Sequence, residues 1–77
     1  MTRDQIRAAL ETLTRDQLGW TRPLPEGHLD ASLDSVDRLA LVVAVEDAFH
    51  ITFEPDDEAR VHTLDELIDF IAERHAG

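Results

Sequence analysis

The sequence predicts an all-α fold, a small four-helix bundle made of three main helices and one short helix, with a long loop between the first two. Apolar residues recur at helical spacing in three segments, and each of these segments begins at a residue that can cap a helix. The chain has 77 residues and no cysteine, so packing alone must stabilise one modest core. We therefore expect residues 1–77 to form a single domain.

The first helix is expected at about residues 2–17, followed by an irregular connection over residues 18–33. Thr2 and Gln5 have the spacing of a capping box, and Ile6 begins an apolar repeat at helical spacing. Glycine and proline punctuate the connection, and a loop of this length needs apolar anchors of its own. The expected anchors are Trp20, Leu24, Leu29 and Leu33.

The second main helix is expected at residues 34–49, where Asp34 or Ser35 can cap it. Its valines would also suit a strand, but the segment is too long for a typical strand. On a helical wheel its core face is expected to hold Leu39, Val42, Val45 and Phe49, with Leu41 at the edge.

The opposite face of the same helix is also apolar, which is unusual for a domain too small to bury a helix on every side. This predicted strip consists of Val36, Ala40, Val43 and Ala44, flanked by Asp37 and Asp47. The sequence leaves two interpretations open. Either the loop over residues 18–33 covers the strip, or the strip is a docking surface.

Two further helical segments are expected after the second helix. Residues 55–60 begin with a proline followed by acids, which is typical of a helix start but also of a structured turn. Thr63 and Glu66 have the spacing of a second capping box, followed by an amphipathic repeat. The last helix is therefore expected at about residues 63–75.

The charge distribution argues against nucleic acid as a partner. Seventeen acidic and seven basic residues give a net charge of −10, and residues 26–77 hold fourteen of the acids with only three Arg. Such a surface repels a phosphate backbone. No segment is apolar for the length of a membrane span, and residues 1–5 lack the features of a secretory signal. We expect a soluble cytoplasmic protein, without membrane contact, that is a monomer.

The sequence offers no arrangement of residues for catalysis or for metal binding. No His-activated nucleophile and no carboxylate pair emerges. The four histidines lack metal-ligand spacing and are expected at the surface or in loops; they are His28, His50, His62 and His75. We therefore expect no catalytic residue and no metal site, and we do not expect an enzyme.

Four blocks of sequence resemble acyl carrier proteins. They are LDSVDRL at 33–39, VEDAFHI at 45–51, PDDEA at 55–59 and TLDELIDFI at 63–71. The similarity runs over about residues 29–71 without a gap, and the first helix and long loop fit the same architecture more loosely. A serine that follows an aspartate before an apolar run can simply be a helix cap, so the resemblance depends on the agreement of all four blocks.

The resemblance implies that a phosphopantetheinyl transferase attaches the 4′-phosphopantetheine arm of coenzyme A to Ser35, with Asp34 flanking it. The arm would carry acyl groups as thioesters to loading and processing enzymes such as ketosynthases or acyl ligases. The start of a helix suits the phosphate, because unpaired N–H groups and the helix dipole favour an anion there. Partners in this family have basic surfaces, and the expected docking residues are Val36, Asp37, Arg38, Ala40, Val43, Ala44 and Asp47.

Two departures from the family pattern leave the pathway open. Ser32 stands where the family usually has glycine, three residues before the serine. Ala40 stands where many fatty-acid carriers have an acid, and Arg38 adds a base nearby. These departures favour a polyketide or other specialised pathway over housekeeping fatty acid synthesis. Two alternatives share the architecture, an aminoacyl or peptidyl carrier and a helical adaptor without an arm.

Overall fold

The computed structural model describes residues 2–21 and 23–75, apart from the side chains of Asp30 and Ser32. Within these ranges the fold is all-α, as the sequence predicts. Its helices are α1 (Arg3–Asp16), α2 (Leu29–Ser32), α3 (Ser35–Phe49), α4 (Pro55–Arg60) and α5 (Leu64–His75). Three main helices and the short α4 match the expectation, and α2 adds a single turn at the end of the long connection. None of these helices is long and apolar enough to cross a membrane.

Both predicted capping boxes are present. The hydroxyl of Thr2 accepts from the backbone N–H of Gln5 at 3.1 Å, and the side chain of Gln5 accepts from the N–H of Thr2 at 2.8 Å. Thr63 and Glu66 exchange the same pair of hydrogen bonds at the start of α5, both at 3.1 Å. The backbone N–H groups of His62 and then Thr63 lower the pKa of the Glu66 carboxyl. These caps fix where α1 and α5 begin.

The hydrophobic core lies between α1, α3 and α5, since α1 packs against both of the other helices. Each long helix contributes side chains with almost no solvent exposure, among them Ile6, Leu10, Leu41, Val45 and Ile71. These buried residues form one continuous cluster, and the side of α3 that is turned away from this cluster faces outward.

The long connection is held against the core by the expected anchors. Leu24, Leu29 and Leu33 are buried, and the half-buried Trp20 packs on the same cluster. The backbone N–H of Leu29 also donates to the carbonyl of His62 at 2.7 Å, which ties the connection to the start of α5. The segment that leads into α3 is therefore held against the core by these side chains and by this hydrogen bond.

Residues 55–60 form a helix rather than a turn, and a buried carboxylate connects this helix to α5. Pro55 stands at the start of α4, and the Asp57 side chain accepts from the backbone N–H of Glu54 at 3.1 Å. Arg74 donates to the other oxygen of Asp57 at 3.0 Å and lies 4.7 Å above the ring of Phe70. Asp57 is thus hydrogen-bonded on both oxygens, as a buried carboxylate requires.

The C-terminal end of α3 contains a strained residue, His50, which has a left-handed backbone with φ of 56°. Glycine adopts this conformation freely, whereas other residues lose about 1–2 kcal/mol. We expect His50→Gly to raise the free energy of unfolding by about 0.5–1 kcal/mol, after allowing for the greater entropy of glycine in the unfolded chain. Urea unfolding measures the change. The control His50→Ala should give no gain, and a His50→Gly protein less stable than wild type would contradict this account.

The distribution of charge predicts that salt stabilises the fold. Exposed ion pairs join Arg3 to Asp65 and Asp69, and Arg7 to Glu26, but such pairs contribute little. The net charge of −10 therefore dominates as repulsion between acids. We expect the melting temperature to rise by several degrees between low and moderate salt, because the screening length shrinks from about 30 Å to about 10 Å. An unchanged or lower melting temperature would show that the ion pairs outweigh the repulsion.

Candidate functional site

Ser35 is the first residue of α3, and its side chain is exposed. The capping role that the sequence left open belongs to Asp34, whose carboxylate accepts from the backbone N–H of Asp37 at 2.8 Å. The Ser35 hydroxyl is therefore not the group that starts the helix. It lies beside the backbone N–H groups of the first turn of α3, which have no acceptor within the helix.

The residues before Ser35 hold it in a defined place. The turn α2 closes with a hydrogen bond from the N–H of Leu33 to the carbonyl of Leu29 at 2.8 Å, and both side chains are buried. Ser32 has a helical backbone, which any residue can adopt. Among the described residues other than glycine, a left-handed backbone is found at His50 and not here. A serine in place of the family's glycine therefore needs no strained backbone here; the Ser32 side chain lies outside the described residues.

Arg38 lies on the core side of α3, one turn after Ser35. Its guanidinium donates to the backbone carbonyls of Glu58 at 3.0 Å and Val61 at 2.7 Å, and its side chain is half-buried. These hydrogen bonds hold the guanidinium within the fold, whereas Arg38 was expected from the sequence only as a docking residue. The sequence indicates that Arg38 lies on the core side of α3, because it shares helical spacing with Leu41 and Val45 on the core face.

The exposed apolar surface of α3 begins next to Ser35. Val36, Leu39 and Val43 are 72%, 60% and 47% exposed. With the half-buried Ala40 they form what we name the outer strip. The expectation that Leu39 lies in the core is therefore wrong.

The core face also differs from the wheel. Ala44, expected in the predicted strip, is buried together with Leu41, Val45 and Phe49, and Val42 is half-buried. The physical reason is that α3 is apolar around almost its whole circumference. A wheel then gives no preferred direction, and packing against α1 decides which side is buried.

The described residues of the long connection leave the outer strip open. Their anchors are directed into the core, and Leu18, with Gln17 at the end of α1, borders the strip. Between this border and α3 lies an open groove of about 470 Å³, whose far edge carries the exposed carboxylate of Asp47. Asp37 stands at the other end, beside Ser35, and is half-buried. The interpretation of the strip as a covered surface is therefore wrong.

The histidines are exposed, as expected, at positions 28, 50, 62 and 75. In the part of the chain that the structure describes, no three His, Asp or Glu side chains converge on a point that could hold a metal ion. Among the described side chains, this end of the molecule presents the exposed hydroxyl of Ser35 at a helix start, next to an apolar strip with an acidic rim.

Comparison with known proteins gives a consistent result. A profile of the phosphopantetheine attachment-site family matches residues 4–71. An acyl carrier protein of Rubrobacter xylanophilus is 32% identical over the full length of both chains. One from Syntrophobacter fumaroxidans is 31% identical over 94% of each chain, and one from Cyanidium caldarium is 27% identical over 96% of this chain and 91% of its own.

Proposed function

The chain belongs to the acyl carrier protein family, and on that premise we propose that it carries acyl groups as thioesters on an arm attached to Ser35. Members of this family are carriers rather than catalysts, and their cofactor is covalently attached 4′-phosphopantetheine. The observation that carries the assignment to Ser35 is its exposed hydroxyl at the start of α3, where Asp34 already supplies the cap.

The residues around Ser35 fit a phosphate ester. The start of a helix favours an anion, because the N–H groups of its first turn point outward and the positive end of the helix dipole lies there. The negative charge of Asp34 modestly opposes a phosphate at this point, although one oxygen of Asp34 already accepts from the backbone N–H of Asp37. The arm itself supplies a terminal thiol, which holds an acyl group as a thioester.

The attachment reaction balances with coenzyme A as the donor. The Ser35 oxygen forms a new bond to the phosphorus next to the pantetheine, and the pyrophosphate bond of coenzyme A breaks. Adenosine 3′,5′-bisphosphate leaves, and the serine proton passes to a base that the transferase supplies. This chain contributes the nucleophilic oxygen and the surface on which the transferase places it.

The outer strip and its acidic rim supply a docking surface for partners. The family acts with a phosphopantetheinyl transferase and with biosynthetic enzymes. For this chain we propose partners whose basic residues meet Asp37 and Asp47 during the approach and whose apolar side chains contact Val36, Ala40 and Val43. Leu39 joins this surface because it is exposed. Ala44 is buried but lines the same groove, and the half-buried Arg38 stays in the proposed docking set. Apolar contacts of this kind set the dissociation rate, and rim charges set the association rate.

The absence of an acid at position 40 favours a specialised pathway, such as polyketide synthesis, over housekeeping fatty acid synthesis. In the structure, Ala40 lies in the outer strip, where a carboxylate would add to the rim and change which partner fits. We propose that this chain works as a cytoplasmic monomer with ketosynthases, acyl ligases or similar enzymes of such a pathway.

The proposed function is tested by incubating the protein with coenzyme A and a broad-specificity phosphopantetheinyl transferase. Intact-mass spectrometry should show the gain of one arm in nearly all molecules. A carrier for amino acids would gain the same arm, so acyl and aminoacyl ligases are then compared for loading. A protein that stays unmodified would be the armless adaptor, and the proposed function would be wrong.

A further inference from the structure

The contact between Arg38 and the end of α4 closes the space between α3 and α4. The carbonyls of Glu58 and Val61 that accept from Arg38 lie in the last turn and at the cap of α4. Carbonyls at a helix end lack partners within the helix and carry the negative end of its dipole, so a guanidinium binds them well. Arg38 is therefore a cationic clamp between the two helices.

The space beneath this clamp is apolar but nearly full. Its volume is about 10 Å³, and its apolar lining is Leu29, Leu41, Val42, Phe53, Val61 and Leu67. One water molecule needs about 10–15 Å³ of such space. Even a short acyl chain displaces several times this volume, so α4 would have to move away from α3 to admit one.

We propose that Arg38 is a specificity-determining residue that keeps the acyl group outside the bundle. The proposal rests on the proposed function, since it concerns the cargo of an arm on Ser35. An apolar chain left in water becomes less favourable with each added methylene. The clamp therefore favours short or polar acyl groups over long saturated chains, and leaves the cargo open to the enzymes that process it.

The test compares acetyl and octanoyl forms of the protein, made by transferase loading from the corresponding acyl-coenzyme A. We expect the two forms to melt within about 1 °C of each other, because a chain in solvent adds no contact to the fold; burial of the octanoyl chain would raise the melting temperature by several degrees. Hydroxylamine cleavage of each thioester, relative to its free acyl-coenzyme A, should likewise be equal for both lengths.

Arg38→Met removes the clamp but keeps an apolar stem, so the space between the helices can open. In this variant the octanoyl form should melt several degrees above the acetyl form, and its thioester should be cleaved several-fold more slowly. Arg60→Met, which removes an exposed arginine of α4, should behave like wild type. Arg38→Lys keeps a cation and should lie between the two, which preserves the test if Arg38→Met does not fold.

The outcomes separate the two proposals. Failure to load any arm would overturn the proposed function. Normal loading with an octanoyl form of the wild-type protein that is several degrees more stable than the acetyl form would overturn the clamp. Equal melting of the two forms in both folded Arg38 variants would show that Arg38 does not exclude the chain, which would also overturn it.

Discussion

Ser35→Ala should lose all transfer of the arm, the largest effect that we expect from any single substitution. The reaction needs an oxygen nucleophile at this position, and alanine provides none. The variant should fold normally, because Ser35 is exposed and Asp34 supplies the cap of α3. Exposed substitutions of this kind change stability by no more than about 0.5 kcal/mol. Intact-mass spectrometry after incubation with coenzyme A and the transferase measures the result.

The matched control for this experiment is Ser32→Ala, which removes the neighbouring hydroxyl three residues earlier. Ser32→Ala should gain one arm, as wild type does. If Ser32→Ala stays unmodified while Ser35→Ala is modified, the attachment site has been assigned to the wrong serine. Circular dichroism of both variants excludes unfolding as the reason for a lost modification.

Val43→Asp should speed dissociation of the bound transferase by about tenfold or more. Val43 lies in the middle of the outer strip and is half exposed, so a partner that docks there must cover it. A carboxylate at this point would be desolvated without a counter-charge. Central hot-spot contacts are worth about 2 kcal/mol or more, and about 1.4 kcal/mol already corresponds to a tenfold change in affinity. Surface plasmon resonance gives the two rate constants separately.

Two control variants show whether the effect belongs to the outer strip. Ala48→Asp adds the same charge to another exposed side of α3, and it should leave dissociation unchanged. Asp47→Ala removes a rim charge, and it should slow association at low salt with little effect on dissociation. Wild-type kinetics for Val43→Asp would mean that the transferase docks elsewhere.

The boundaries of the helices could be predicted because local chemistry determines them. Thr2 with Gln5 and Thr63 with Glu66 form their hydrogen bonds within one turn of chain, so their spacing alone identifies the helix starts. The proline and acids of α4 are equally local. The turn α2 was not predicted, because its four residues depend on the burial of Leu29 and Leu33 rather than on a helical repeat.

The orientation of α3 could not be predicted, because tertiary packing determines it. A helix that is apolar on both sides can bury either one, and contacts with α1 placed Leu39 outside and Ala44 inside. Arg38 shows the same limit for a charged residue. Its spacing with Leu41 indicates the core face. Its acceptors, the carbonyls of Glu58 and Val61, are 20 and 23 residues away in the sequence and belong to another helix.

The central claim, that Ser35 bears the arm and the arm bears the acyl group, is tested most directly by peptide mass spectrometry of the acetyl-loaded protein. Trypsin leaves Ser35 and Ser32 in one peptide, residues 16–38, because the bond after Arg22 precedes a proline. Fragment ions should place the acetyl-phosphopantetheine mass on Ser35, and hydroxylamine should remove the acetyl group while the arm remains. Finding this mass on another residue, or an acetyl group directly on a serine oxygen, would contradict the account.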